Sequence, residues 1–287
     1  MVIRDIREMQ DTATAFRDAG KRIAVVPTMG YLHEGHSALI REAKNRADVV
    51  VTTVFVNPTQ FGPGEDFERY PRDLDRDVRI AKDAGTSIVF APATDAMYQS
   101  HFSSFVLVEE ITSVLEGKSR PGHFRGVATV VAKLFHITQP HVAVFGQKDA
   151  QQVIVIRRMI RDLNFAVDMV VVPTVREKDG LALSSRNTYL TPQQRHEAPV
   201  LHMALCEAQK NIASGSVSCM KLVEAMKEMI TKQSSGVIDY VSVADAETLE
   251  ELTVLNGHME ILVSLAVRFG QTRLIDNILT ERKEHRS

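Results

Sequence analysis

The feature that most constrains this chain is a rhythm. Short apolar runs of strand length alternate with longer stretches in which apolar residues recur every three or four positions. The rhythm begins with the run Ile23 to Thr28 and continues through Leu39, Ile40, Ala43 and Ala47 at helical spacing. Val49 to Val56 is a continuous run rich in β-branched residues, as a parallel strand covered on both faces requires, and Leu74, Val78 and Ala81 then recur before Gly85. Further strands are expected at Ser87 to Ala91, His141 to Phe145 and Met169 to Thr174. Helices are expected through Val127, Val130, Leu134 and Ile137, and through Ile156, Met159, Ile160 and Leu163. This alternation predicts an α/β fold, a Rossmann-like open parallel sheet with helical crossovers.

The pattern changes at residues 176–187, where Lys178-Asp179-Gly180 and Ser184-Ser185-Arg186-Asn187 make a polar, turn-rich stretch. We read this as a hinge between a larger domain over residues 1–175 and a smaller C-terminal α+β domain over residues 176–287, which acts as a lid. In the smaller domain Leu201, Leu205, Ala208 and Ile212 predict one helix, and Leu222, Met226 and Ile230 a second, with Gly215 between them. Ile238 to Val243 and Ile261 to Arg268 read as strands of a short antiparallel sheet. A chain of 287 residues is long enough for such a pair of domains.

A net charge of −2 supplies no field for nucleic acid or an anionic membrane, so small-molecule substrates are the better match. The N-terminus is charged throughout and contains no apolar run of signal-peptide or membrane-spanning length, which predicts a cytoplasmic protein. Cys206 and Cys219 both fall in expected helices and read as buried cytoplasmic thiols rather than a disulfide.

The strongest local signal is Pro27-Thr28-Met29-Gly30-Tyr31-Leu32-His33-Glu34-Gly35-His36, where the first long strand gives way to a helix. A strand's carboxyl end in an open parallel sheet is the expected place for a ligand. The glycines permit a sharp turn, and free N–H groups at the helix start favour a phosphate. His33 and His36 would project from one face, either as phosphate ligands or as a cap. A metal pair is the rival reading, although the spacing differs from the His-Glu-x-x-His helix and no third ligand is evident.

A second strand-to-helix junction, Gly146-Gln147-Lys148-Asp149, carries Gln151 and Gln152 in the next helical turn, and Lys148 is a phosphate-ligand candidate there. Leu183-Ser184-Ser185-Arg186 adds small hydroxyls and a guanidinium that could close over a triphosphate. The chain has no Gly-x-x-x-x-Gly-Lys-[Ser/Thr] loop and no Gly-x-Gly-x-x-Gly after a strand, so neither a P-loop ATPase nor a nicotinamide dehydrogenase fits.

His33-Glu-Gly-His36 resembles the His-Ile-Gly-His signature of the nucleotidyltransferase superfamily, and Leu183-Ser-Ser-Arg186 resembles its mobile Lys-Met-Ser-Lys-Ser element. More specifically, PTMGYLHEGH, VNPTQF, RPGHFRGVATVV, FGQKD and LSSRN, in that order, are similar to the pantothenate synthetase family. The similarity continues through YVSVAD and TRLIDN, so it covers nearly the whole chain.

The resemblance implies ATP-dependent condensation of pantoate with β-alanine to give pantothenate, AMP and pyrophosphate through an acyl adenylate. It implies that Met29, Gly30, Tyr31, Leu32, His33, Glu34, Gly35 and His36 form the ATP loop, with His36 as proton donor and His33 stabilising charge. Gly146, Gln147, Lys148 and Asp149, the Val175 backbone, and Leu183, Ser184, Ser185 and Arg186 become further nucleotide contacts, Lys148 and Arg186 reaching the phosphates. Gln60 and Gln152 match pantoate-binding glutamines, Gln60 also lying near β-alanine. Asn57, Arg120 and His123 are secondary candidates, the last two equally readable as turn residues. The family also implies Mg²⁺ with the ATP and a homodimer through the N-terminal domain. Leu183, where many members carry Met, and Gln147 depart from the family pattern without removing a charged or hydrogen-bonding role. The competing readings are a nucleotidyltransferase acting on a phosphorylated substrate and a non-catalytic nucleotide sensor.

Overall fold

The computed structural model, described over residues 1–214, 218–255 and 260–281, resolves the alternation into one parallel sheet. The chain runs through β1 (Val2–Ile3), α1 (Ile6–Asp18), β2 (Ile23–Thr28), α2 (Glu34–Arg46), β3 (Val49–Val54), α3 (Leu74–Ala84) and β4 (Ile88–Phe90). The single turns α4 (Thr94–Met97) and α5 (Glu116–Ser119) lead to α6 (His123–Thr138), β5 (Val142–Gly146), α7 (Ala150–Asp162) and β6 (Asp168–Val172). Strand order is β1-β4-β3-β2-β5-β6 with every pairing parallel, as the α/β reading requires.

Burial explains why these segments are strands. Ala24 and Val26 of β2, Val50 of β3, Val89 of β4, and Val142 and Val144 of β5 pack with Ile40 and Ala43 of α2 and Ala81 and Ala84 of α3. Each buried Val or Ile contributes roughly 1.5–3 kcal/mol. After β4 the chain returns to the other side of β2, so β5 lies beside it. That reversal puts the crevice of the sheet at the carboxyl ends of β2 and β5, where two of the three candidate loops begin.

The N-terminal segment supplies elements that the sequence reading did not resolve. Asp5 caps α1 by accepting from the Glu8 N–H at 2.8 Å. Only Met9 and Ala13 of the helix are buried, so a thin apolar stripe was hidden among charges.

Residues Lys148–Ala150 and Val175 onward form a second compact unit, distinct from the one just described. It contains α8 (Pro192–Glu197), α9 (Val200–Ser214), α10 (Cys219–Gln233) and an antiparallel sheet of β7 (Val237–Asp245), β8 (Glu260–Phe269) and β9 (Thr272–Glu281). Leu201, Leu205 and Ile212 of α9 and Leu222, Met226 and Ile230 of α10 share a core with Val243, Ile261, Val263 and Leu265. Strand β9 is additional to the two expected, joined to β8 through Gly270 (φ 59°) and Gln271 in a two-residue turn. Gly215, expected between the two helices, lies outside the described residues.

One detail revises the sequence reading and a second describes the expected hinge stretch. Cys219 is buried but Cys206 is only half-buried; both are free thiols. The stretch 176–187 is ordered within the second unit: Arg176 bridges to Ala182 and its guanidinium chelates Asp276 at 2.6 and 2.9 Å.

Candidate active site

At the end of β2 nearly every backbone N–H is already used. Thr28 Oγ1 accepts from Gly30 at 3.1 Å, and Asp77 accepts from Tyr31 and Leu32, each at 2.7 Å. His33 N–H donates to His36 Nδ1 and Gly35 N–H to His33 Nδ1, both at 3.2 Å. The His36 and Ser37 N–H groups both donate to the His33 carbonyl, at 2.8 and 3.1 Å. Asp77 and the two imidazoles thus accept the Tyr31, Leu32, His33 and Gly35 N–H groups, which the sequence reading had taken as free.

The same bonds define the histidines chemically. An N–H can only donate, so each Nδ1 must present a lone pair, and a neutral ring then carries its proton on Nε2. His33 and His36 form a reciprocal cap on α2, with ring centroids 4.1 Å apart. The cap and ligand readings are thus compatible, since capping uses Nδ1 of each ring and not Nε2. Glu34 is exposed and ion-paired with Arg41, whose hydrogen bond lowers its pKa. Among the described residues no three His, Cys, Asp or Glu side chains group as metal ligands.

A buried polar network lies behind this loop. Pro58–Gln60 is a 3-10 turn capped by Asn57. The Gln60 Oε1 accepts from Asn57 Nδ2 at 3.0 Å while its Nε2 donates to Met29 Sδ at 3.1 Å, linking the expected pantoate glutamine to the expected ATP loop. Asn57 also donates to the Gly126 carbonyl at 3.1 Å and accepts from the Tyr98 hydroxyl at 2.7 Å. His123 Nδ1–H donates to the Gln60 carbonyl at 2.8 Å, and Arg120, chelated by Glu65 at 2.7 and 2.8 Å, lies 3.0 Å from His123 Nε2. Burial first, then the Arg120 charge, lowers the His123 pKa from 6.5 to about 4, so the ring is neutral. Arg120 and His123 both reach the Gln60 carbonyl and so buttress that residue. Gly126 admits the close approach, because a Cβ there would lie 2.3 Å from the Thr59 carbonyl oxygen and 2.6 Å from the Gln60 nitrogen.

At the other junction Gly146 ends β5 and Gln147–Asp149 forms a 3-10 turn into α7. Gln151 is buried and spends its amide on Glu116 N–H and on the Ile111 and Val114 carbonyls at 2.8–2.9 Å. Gln152 is half-buried outside that network. In the second unit Lys148 pairs with Asp149 at 3.6 Å, and its carbonyl accepts from Asn277 Nδ2 at 2.9 Å. Leu183 N–H donates to the Val175 carbonyl at 3.0 Å, while Ser184 caps the turn Ser185–Tyr189 by accepting from Arg186 N–H at 3.2 Å. Met29, His33, His36, Gln60 and Gln152 thus share the first unit, and Lys148, Val175 and Leu183 to Arg186 share the second. The sequence reading missed Glu65, Asp77, Tyr98 and Gly126, whose roles depend on partners far away in the chain.

A family model described as pantoate-beta-alanine ligase matches residues 1–279. The chain belongs to the pantoate-beta-alanine ligase family. The pantothenate synthetases of Acetivibrio thermocellus and Moorella thermoacetica are 50% and 52% identical to it over 280 residues, covering 98% of this chain and 99% and 98% of theirs. The crystal structure of pantothenate synthetase from Thermus thermophilus matches with TM-score 0.89 at 45% identity, over 96% of this chain and 98% of that one. The pantoate-beta-alanine ligase of Francisella tularensis, complexed with beta-gamma ATP and beta-alanine, matches with TM-score 0.79 at 32% identity over 97% of both chains. As a member of this ligase family, the chain is an enzyme. No helix among the described residues is long and apolar enough to cross a membrane.

Proposed function

We propose that the protein joins pantoate to β-alanine with MgATP, forming pantothenate, AMP and pyrophosphate through pantoyl adenylate. The observation that carries the reading is the Gln60–Met29 contact, which sets an amide suited to hydroxyls and a carboxylate against the loop that bears the histidine pair. A phosphomonoester substrate would favour a cation there.

In the first step a pantoate carboxylate oxygen bonds to the α-phosphorus, and the bond from that phosphorus to the bridging oxygen breaks, so pyrophosphate leaves with the electron pair. His33 and His36 donate from Nε2 to the phosphoryl oxygens, His36 as the proton donor, and Lys148 and Arg186 hold the phosphates. Gln60 and Gln152 receive pantoate. In the second step the β-alanine amine attacks the acyl carbon, the carbon–oxygen bond to AMP breaks, and the nitrogen loses a proton. Mg²⁺ travels with the nucleotide, held by phosphates and water.

The second unit is proposed to act as a lid hinged about residues 176–187. Homodimer assembly and a cytoplasmic location are proposed from the family resemblance, and light scattering in solution tests the assembly. The deciding experiment incubates the protein with MgATP, pantoate and β-alanine, and in parallel with a phosphate ester in place of pantoate. Pantothenate and AMP are expected in the first mixture. Their absence there, or turnover of the ester instead, overturns the assignment.

A further inference from the structure

Asp77 lies 46 residues beyond Tyr31, yet its two oxygens separately accept the adjacent amides of Tyr31 and Leu32 at 2.7 Å. It is 1% exposed, in the first turn of α3, where Asp73 provides the helix cap. Removing a carboxylate from water is unfavourable unless hydrogen bonds compensate, and these two bonds are charge-assisted. The segment they hold has an unusual backbone: Gly30 has φ 84° and Tyr31, a residue with a side chain, φ 51°. A left-handed tyrosine is uncommon and needs support from its surroundings. Gly30 is fitted to the same carboxylate, since a Cβ on it would stand 2.8 Å from Asp77 Oδ2. The neighbouring Arg76 guanidinium covers the Tyr31 ring at 4.8 Å and lies 3.6 Å from Asp77. One residue after Leu32 the chain reaches His33, the cap of α2 and first member of the donor pair.

We propose that Asp77 is a positioning residue for the histidine pair: by clamping the two amides it fixes the left-handed turn at Gly30–Tyr31 and so the direction in which His33 and His36 present Nε2. Asp77 touches no reacting atom; it acts through the loop. The proposal rests on the catalytic reading of those histidines given above, but its geometric half can be read separately.

The test is Asp77→Asn, which keeps shape but turns one acceptor into a donor facing an N–H. A second variant, Gly30→Ala, displaces the carboxylate without changing its charge. Three readouts are taken on folded protein: nitrogen NMR of the His33 and His36 tautomers, amide exchange at Tyr31 and Leu32, and the rate of pantoyl-adenylate formation. We expect Asp77→Asn to lose amide protection at the two residues, to disturb both imidazole signals and to slow adenylate formation about 10- to 100-fold. The pantoate KM and the attack of β-alanine on preformed pantoyl adenylate should change less than threefold. Gly30→Ala should reproduce the pattern if Asp77→Asn does not fold. Undisturbed imidazole signals in either folded variant overturn the proposal, whatever happens to the rate. Disturbed signals with an unchanged rate sustain the role of Asp77 and overturn the catalytic assignment of the histidines instead.

Discussion

His33 caps α2 through Nδ1 and is proposed to act on the phosphate through Nε2, and a suitable substitution separates the two. Asparagine is also a good helix cap, so His33→Asn should keep the α2 cap and leave thermal stability within about 0.5 kcal/mol. It lacks the Nε2 donor, so adenylate formation should fall roughly 100- to 1,000-fold, the scale for one lost preorganised donor. A stable variant with a near-normal burst of adenylate would show that the ring serves only as a cap. His123 carries a prediction of a different kind. Its folded pKa of about 4 lies below the 6.5 of the unfolded chain. As pH falls below about 6.5 the unfolded state therefore takes up the proton first, and stability declines until about pH 4, where the folded state protonates too. The full decline corresponds to roughly 3 kcal/mol, and above pH 7 none of it remains. Urea midpoints between pH 4 and 7.5 should fall less steeply with acid in His123→Gln than in the native protein. Parallel curves would locate the acid sensitivity elsewhere.

At the scale of elements, α6 and the Pro58–Gln60 turn meet at Gly126. Alanine in a helix interior ordinarily gains up to about 1 kcal/mol over glycine, yet here the added carbon would meet the Thr59 carbonyl at 2.3 Å. The turn must yield, and Gln60 moves with it. Gly126→Ala should raise the pantoate KM about tenfold or more while altering the ATP KM little, as initial rates with each substrate varied would reveal. Unchanged constants for both would mean that the turn does not carry the pantoate contact. This scale also marks what the sequence disclosed. The runs Ile23 to Thr28 and Val49 to Val56 were legible as strands because apolar runs rich in β-branched residues have few other uses, although the second strand ends at Val54, and α2, α3, α6 and α7 were legible from their spacing. Strand β9 was not, because its buried positions include Asp276 and Asn277, polar groups satisfied only by partners in the folded unit. The Asp77 clamp was equally invisible, since one aspartate in a charged helix start looks like any other until the fold brings Tyr31 to it. Histidine spacing marked the loop but not how its N–H groups are engaged, because a sequence gives no way to count acceptors.

For the whole molecule, the proposed reaction has two stages that depend on different residues. Lys148→Ala should slow the full reaction through adenylate formation and leave the later attack by β-alanine largely intact, because pyrophosphate has gone by then. Supplying preformed pantoyl adenylate should restore most of the rate, whereas equal losses with and without it would remove Lys148 from the first step. Lys148 also shows something about how such a protein can be taken apart. Its unit is assembled from two stretches of chain, three residues after β5 and everything from Val175 onward, and Asn277 grips the Lys148 carbonyl across that gap in sequence. A gene divided between Thr174 and Val175 would therefore encode the first unit whole but divide the second: one product would keep the Lys148 carbonyl and the other the amide that binds it. Fission at this apparent boundary should therefore leave the C-terminal fragment less stable by itself than when it is made together with its partner fragment, which alone carries Lys148 to Ala150.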